Sequence, residues 1–158
     1  MVRCGIGFDV HAFAAGRKLI LGGVEIEYQQ GLAGHSDADV VCHAVADALL
    51  GAAGLGDIGM MFPNTDPANK DISSLLILEK IADRLNKNGC KIINIDMSII
   101  AEQPKIAPHS DKMRERLAAA LKIDKDAVNI KGKTTERLGF TGRQEGIAAM
   151  AVASIEKQ

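Results

Sequence analysis

Hydrophobic and polar positions change period several times along the chain, and each change marks an element. Residues 2–11 alternate loosely, as a strand does when one face is covered. Residues 18–21 and 24–28 flank Gly22-Gly23, a pair suited to a tight hairpin because glycine tolerates positive φ. A helix start is read at Ser36, with Asp39 three residues on in a capping-box-like spacing. Val41, Val45, Ala48, Leu49 and Ala52 then recur at helical spacing until Gly54 and Gly56. Residues 57–70 hold Gly59, Pro63, Asn64, Asp66 and Pro67 and read as a long loop, a kind that is often functional in compact domains.

A second helix is predicted over 72–88, with Leu75, Leu78, Ala82 and Leu85 inward and Gly89 as its stop. Ile93, Ile95, Met97 and Ile99 alternate with Asn94, Asp96 and Ser98, predicting a strand over 91–101 with one polar face. A third helix is read from Pro108 to Lys122, and two final strands over Val128–Lys133 and Ile147–Ile155. The fold class is α+β: an α/β sandwich with a mixed four-stranded sheet, helices on one face and an extra β-hairpin, in one domain spanning 1–158.

Composition narrows the function classes. The chain has 158 residues, of which 47% are hydrophobic and only 3% aromatic: four Phe, one Tyr and no Trp. The core must be built from small aliphatic side chains. A net charge of −1 lacks the basic excess of bulk nucleic-acid binders, and so few aromatics argue against single-strand stacking platforms. Cys4, Cys42 and Cys90 are scattered, with no CxxC, which fits a reducing compartment better than a disulfide framework. No apolar run approaches the ~18 residues of a membrane span. The N-terminus runs into strand-like sequence without the sections of a signal peptide. A cytoplasmic protein is expected, or a plastid-stroma one after removal of a transit segment.

The candidate chemistry begins with the histidines. Asp9 and His11 sit two apart on a predicted strand and share a face. Asp39, His43 and Asp47 form an i, i+4, i+8 stripe on the first predicted helix. If strand and helix pack together, Asp9, His11 and His43 converge. Two imidazoles and a carboxylate suit a zinc-type site with an open fourth position. Asp39 or Asp47 would then orient His43 from behind. An Asp/His stripe that is merely a solvated face is the competing reading. Cys42 points away as a small core residue, and His109 opens the third helix at the surface.

Residues 131–146 carry Lys131, Lys133, Arg137 and Arg143 among threonines and glycines. Hydroxyls and exposed backbone N–H groups can hold phosphate oxygens. Glu136, an acid among these cations, can hold a Mg²⁺ that bridges them. The Walker spacing is absent, and a polar inter-strand loop with ordinary ion pairs is the alternative. Gly34-His35-Ser36 precedes a helix N-terminus, where anions are favoured. Asp57 opens the long loop and can bind substrate hydroxyls, or serve as a turn aspartate.

Several segments, in order, cover essentially the whole chain: Gly7-Phe8-Asp9-Val10-His11, Gly34-His35-Ser36-Asp37-Ala38-Asp39-Val40, Asp47 to Ala53, Gly56-Asp57-Ile58-Gly59, Phe62 to Pro67, and Thr134 to Arg143. Together they resemble the 2-C-methyl-D-erythritol 2,4-cyclodiphosphate synthase family. That resemblance implies a ferredoxin-like, chorismate-mutase-like homotrimer with active sites between subunits. It implies one zinc per subunit on Asp9, His11 and His43. Ser36, Ile58, Gly59, Phe62 and Asp66 would bind the methylerythritol end, with Asp57 and His35 in catalytic positions. Ala101, Pro104, Lys105, Ile106 and Ala107 would form a cytidine pocket lent by the neighbouring subunit. Lys133, Thr134, Thr135 and Glu136 would meet the diphosphate and its Mg²⁺ or Mn²⁺, Thr134 as a catalytic residue. Phe140 and Arg143, with Glu145, would line a central cavity suited to an isoprenoid diphosphate.

The implied reaction cyclises a cytidine diphosphate-type substrate with loss of CMP, a lyase step of the non-mevalonate route to isoprenoid precursors. No nucleic-acid or membrane partner is expected. A zinc hydrolase and a non-catalytic trimeric diphosphate sensor are the rivals. Two departures from the family pattern stand out. Asn64 replaces a common Asp, which puts a carboxylate role there in doubt. Ala38 replaces a frequent Gly, with little effect expected at a helix start. Phe8, Phe62 and Phe140 adjoin proposed sites, and the Ala148–Ala153 strand is narrow enough for close packing of subunit against subunit.

Overall fold

The structure, a computed structural model, describes residues 1–63 and 65–157; the expectation for Asn64 lies outside them. The chain runs through β1 (Val2–Ala14), β2 (Leu19–Leu21), β3 (Val24–Ile26), β4 (Gly31–Leu32), α1 (Val40–Ala53), α2 (Ile58–Met61), α3 (Ser74–Lys87), β5 (Cys90–Ile100), α4 (Ala107–Leu121), β6 (Val128–Lys133), α5 (Gly139–Gly142) and β7 (Gly146–Lys157). The sheet order is β4-β1-β7-β5-β6, with β2 and β3 as a separate hairpin. Only β5 and β6 run parallel; the other pairs are antiparallel. The mixed sheet thus has the four expected long strands plus a fifth of two residues, β4, added at the edge of β1.

The helices lie on one face. α1 crosses β1 and β7, and α3 and α4 cover β5 and β6. Gly5, Gly7, Asp9 and His11 point to α1, whereas Ile6, Phe8 and Val10 point the other way. Phe8 therefore turns its back on the site that it adjoins in sequence. Ala149, Ala151 and Ala153 are buried beneath the helices within this chain. They do not form the inter-subunit surface that their size suggested. The open face of β7 carries Met150 and Val152 instead.

Four differences from the sequence reading have local causes. The first helix starts at Val40, not Ser36, because Asp39 is its N-cap and accepts from the N–H groups of Val41 and Cys42. A bulge between Ile92 and Asn94 reverses the alternation of β5, so Ile93 is exposed and Ile92 joins the core. The long loop is partly ordered into α2 and a 3₁₀ turn over Pro67–Asn69. Ala38 is buried with φ of +58°, a left-handed conformation that costs an L-residue roughly 1–2 kcal/mol. Its replacement of glycine is therefore not neutral. The helix ends follow expectation: Gly54 caps α1 in the left-handed conformation and satisfies Leu50 and Gly51 carbonyls. Among the described residues, no helix is long and apolar enough to cross a membrane.

Candidate metal centre and substrate cavity

Strand β1 delivers Asp9 and His11 on its helix face, and α1 brings His43 down onto them. Asp9 Oδ2 lies 2.9 Å from His11 Nε2 and 3.0 Å from His43 Nδ1, and the two imidazole nitrogens are 3.1 Å apart. These atoms form a nearly equilateral triangle. Ligands of a tetrahedral ion with bonds of about 2.0–2.1 Å are spaced only slightly wider, at about 3.4 Å. Among the described residues, these three are the group whose donor atoms converge in this way.

Electrostatics keeps Asp9 ionised, as a metal-ligating carboxylate must be. Burial opposes ionisation of Asp9, but the adjoining His11 and His43 rings outweigh it and hold its carboxyl well below the usual range. Burial likewise disfavours protonated His11, and the Asp9 contact more than offsets it, so its imidazole is raised. The ring nitrogens facing away are also occupied. His11 Nδ1 donates to the Ala33 carbonyl at 2.6 Å, leaving Nε2 for the triad. His43 Nε2 meets Ser36 Oγ at 3.1 Å and Ser74 Oγ at 3.0 Å. The donor set and its orientation therefore fit a divalent metal, which would displace the proton that Asp9 favours on His11.

Neither aspartate expected behind His43 is there. Asp39 turns to the other side of α1, fully buried, where it also accepts from the N–H groups of Gly22 and Gly23 at 2.9 and 2.7 Å. Asp47 accepts from Ile58 N–H at 2.8 Å and so anchors α2. The serines that do stand behind His43 carry no signal in sequence, because Ser36 and Ser74 meet only through the fold.

The triad opens into a cavity of about 290 Å³ whose wall includes His35, Ser36, Ile58, Gly59 and Phe62. Asp57 caps α2 by accepting from Met60 N–H at 2.8 Å. Asp66 caps the following 3₁₀ turn through Ala68 N–H. Both caps lie along the loop that borders this cavity. A larger cavity, about 820 Å³, lies at the opposite end of the sheet between the ends of α3 and α4, remote from the triad.

The remaining candidates form a separate cluster. Ala101 N–H donates to the Lys133 carbonyl at 2.9 Å, joining the segment before α4 to the end of β6. Pro104 follows a cis peptide bond. Ile106 packs against Gly132 so closely that a Cβ there would fall 2.9 Å from the Ile106 Cβ. Lys105 and Ala107 flank it at the start of α4. Glu102, which sequence reasoning missed, accepts from the N–H groups of Thr135 and Arg137 at 3.0 and 3.2 Å. It stands where an anion would, and holds a loop in which Glu136 and Arg137 both have positive φ. Thr134 Oγ1 donates to Glu136 at 2.9 Å. Lys131 does not join this loop, because it pairs with Asp96 on the open face of the sheet. Phe140 lies on α5 and Arg143 pairs with Glu145 at 2.8 Å.

Both clusters occupy the same end of the sheet. His11 on β1 pairs with Ile147 on β7, and Ile100 on β5 bridges Ala148 and Lys133. Three strand spacings separate β1 from β6, about 14 Å in all. The structure thus brings together the metal triad and the cavity residues, and leaves the Ala101–Ala107 and Lys133–Glu136 cluster across the sheet from them.

Comparison with known proteins gives one answer. The model of the YgbB family matches residues 2–156. A 2-C-methyl-D-erythritol 2,4-cyclodiphosphate synthase of Caldicellulosiruptor bescii is 56% identical over 155 residues, 98% of this chain and 99% of that protein. The synthase of Bacillus cytotoxicus is 52% identical over the full length of both. Among solved structures, an IspF of Plasmodium falciparum in complex with CDP superimposes with a TM-score of 0.87 at 31% identity, covering 99% of this chain and 97% of its own. A bifunctional IspDF of Campylobacter jejuni gives a TM-score of 0.96 at 41% identity; all of this chain matches 43% of that longer one.

Proposed function

We infer the reaction from descent and geometry together: this chain belongs to the YgbB family, the 2-C-methyl-D-erythritol 2,4-cyclodiphosphate synthases. It converts 4-diphosphocytidyl-2-C-methyl-D-erythritol 2-phosphate to 2-C-methyl-D-erythritol 2,4-cyclodiphosphate and CMP, in non-mevalonate isoprenoid precursor synthesis. The observation that carries this reading is the convergence of Asp9, His11 and His43 at the wall of a cavity shared with His35 and Ser36.

An oxygen of the 2-phosphate attacks the β-phosphorus, and the bond to the oxygen of CMP breaks as CMP leaves. The nucleophile is already anionic, so no strong general base is required; positioning and charge compensation dominate, as in phosphoryl transfer generally. Two imidazoles and a carboxylate favour zinc at the triad, and Glu136 suits Mg²⁺ or Mn²⁺. When bound, these ions would offset phosphate repulsion and polarise phosphorus. His35 and Thr134 steady the reacting phosphates. Ser36, Asp57, Ile58, Gly59, Phe62 and Asp66 hold the methylerythritol end. Tethering nucleophile and electrophile in one bound molecule supplies an entropic advantage of up to roughly 7–11 kcal/mol in favourable cases.

The cytidine of the substrate occupies Ala101, Pro104, Lys105, Ile106 and Ala107, and Lys133, Thr134, Thr135 and Glu136 meet its diphosphate. The Plasmodium falciparum relative binds CDP. Because about 14 Å separates these residues from the triad along the sheet, the two halves come from neighbouring subunits of a homotrimer. The apolar open face supports this: Ile6 is 66% and Phe8 53% exposed, with Val10, Met150 and Val152 beside them, a patch of the kind that subunits cover. Phe140, Arg143 and Glu145 are assigned to a central cavity for an isoprenoid diphosphate. The whole chain acts as one domain, in the cytoplasm.

Turnover of the cytidylylated substrate, followed by ³¹P NMR, tests the reaction. A cyclic diphosphate with equimolar CMP is expected. A linear phosphate product would convert the reading to zinc-dependent hydrolysis.

A further inference from the structure

His43 presents one ring nitrogen to the metal triad and the other to a hydrogen-bond chain that runs through Ser74 to Asp37. Its Nε2 is 3.0 Å from Ser74 Oγ. Ser74 is fully buried at the first turn of α3. A hydroxyl has one proton to give, and that of Ser74 is committed, because Oγ donates to the Asp37 carboxylate. Asp37 can only accept. It also takes the Ser74 backbone N–H at 2.9 Å and the Asp39 N–H at 3.2 Å. The α3 N-terminus favours negative charge at that position.

The polarity of the chain is therefore set from the Asp37 end. Ser74 Oγ has only lone pairs left for His43, so Nε2 must carry the imidazole proton and Nδ1 must be bare. Ser36 cannot enforce this. Its Oγ accepts from Ala38 N–H at 3.2 Å, but its own proton is free to turn either way. The direction matters because Asp9 Oδ2 lies 3.0 Å from Nδ1. In a metal-free imidazole that carboxylate pulls the proton onto the nitrogen that a metal needs.

We propose that Asp37 and Ser74 are positioning residues that fix His43 as the Nε2–H tautomer, so that Nδ1 is a ready metal donor. The inference rests on the reading of Asp9, His11 and His43 as a metal site, and it adds a relay reaching from the loop before α1 to the start of α3. Loss of Asp37 frees the Ser74 proton to point at His43. Loss of Ser74 removes the acceptor. Both release the tautomer to Asp9.

The test is a double-mutant cycle read as zinc affinity against a chromophoric chelator, using the full chain with Asp37→Ala, Ser74→Ala and both. Each single change is expected to weaken zinc binding by about 10–100-fold, the range for residues that orient a metal-bound histidine. The double variant should be no weaker than the weaker single, because the relay is already broken. Melting temperature should behave differently. Asp37→Ala also removes an acceptor at the α3 N-terminus, so it lowers stability in both backgrounds.

Long-range ¹H–¹⁵N spectra of metal-free wild-type protein at about pH 8, above the ordinary imidazole range, need no variant and should show His43 protonated at Nε2. Additive affinity losses, singles within about twofold of wild type, or protonation at Nδ1 would overturn the relay. Its failure is separable from that of the proposed reaction. Wild-type protein that binds zinc with these signatures yet releases no CMP would remove the reaction and leave the relay intact.

Discussion

Gly7 on β1 lies directly beneath the Ala44 carbonyl of α1, with no room between them for a side chain. Gly5 makes the same kind of approach to Ala48 and Ala52, one turn along. These contacts seat α1 on β1, and they set the distance between His43 and the Asp9–His11 pair. Gly7→Ala meets backbone on the facing side, which cannot swing away. It should cost about 3 kcal/mol or more, the upper range of overpacking. That corresponds to a melting temperature lower by about 6–12 °C for a chain of this size, with weaker zinc binding. Gly51→Ala, whose added Cβ would only reach ordinary contact with the Ile6 carbonyl at 3.9 Å, serves as the control. Unchanged melting of Gly7→Ala would show that the helix can ride up without consequence.

Metal removal should separate binding from turnover. Chelation is expected to abolish CMP release, and zinc with Mg²⁺ to restore it. His43→Ala removes one of three donors and should prevent restoration at zinc concentrations that saturate the wild type. Full turnover in the chelated protein would contradict the metal-centre reading.

Asp39 offers a stability test that is remote from turnover. Burial pushes its carboxyl up, against the pull of the Gly23 and Cys42 N–H groups. The folded state therefore takes up this proton at a higher pH than the unfolded chain does. With more protons bound in the native state, stability falls as pH rises through the raised value. Relative to Asp39→Asn, which does not titrate, the wild type should gain stability as pH is lowered from neutral toward the ordinary aspartate value near ~3.9. Denaturant melts of both proteins across that window measure the gap. A gap that is flat or moves the other way would show that the amide contacts win. Asp39→Ala should be far worse at every pH, because it strands N–H groups of α1 and of the β2–β3 turn at about 1–3 kcal/mol each.

Glu102 should matter for substrate and not for zinc. It anchors the Thr135 and Arg137 N–H groups, and through them a loop with two consecutive left-handed residues. Such conformations cost roughly 1–3 kcal/mol each and persist only where surroundings hold them. Glu102→Ala should raise KM by about tenfold, the loss of roughly one charge-assisted hydrogen bond. Glu102→Gln retains a carbonyl acceptor and should recover most of it. Zinc affinity should stay at the wild-type level in both. A change in zinc affinity would mean that the two clusters are coupled within one chain.

What could be read in the sequence follows from how local each cause is. Alternation over residues 2–11, the glycine stops of α1 and α3, and the Asp-x-His pair act through near neighbours, so they were visible. The bulge at Ile93 was not, because one inserted residue reverses the alternation without changing composition. Asp39 reads in the sequence as a capping-box partner of Ser36, whereas it is itself the N-cap of α1. Its cap of α1 is local, but its bonds to Gly22 and Gly23 lie across the fold. The serines behind His43, and Glu102 under the Thr135 loop, belong to contacts between residues more than thirty positions apart in most cases. The family resemblance supplied the two half-sites, and only the strand register shows how far apart they lie.

That separation gives the sharpest test of the assembly. If the triad of one subunit works with the Thr134–Glu136 loop of its neighbour, an inactive triad and an inactive loop can complement each other. His43→Ala and Glu136→Ala chains, each inactive alone, should regain activity when unfolded together and reassembled. With random mixing of equal amounts, a site needs an intact triad from one subunit and an intact loop from the next. Each is present half the time, so about a quarter of sites should work in a closed ring of identical interfaces. Mixing without unfolding should give less, at a rate set by subunit exchange. Activity that never rises above the sum of the two separate variants would place both halves in one chain, and the open face bearing Ile6 and Phe8 would need another explanation.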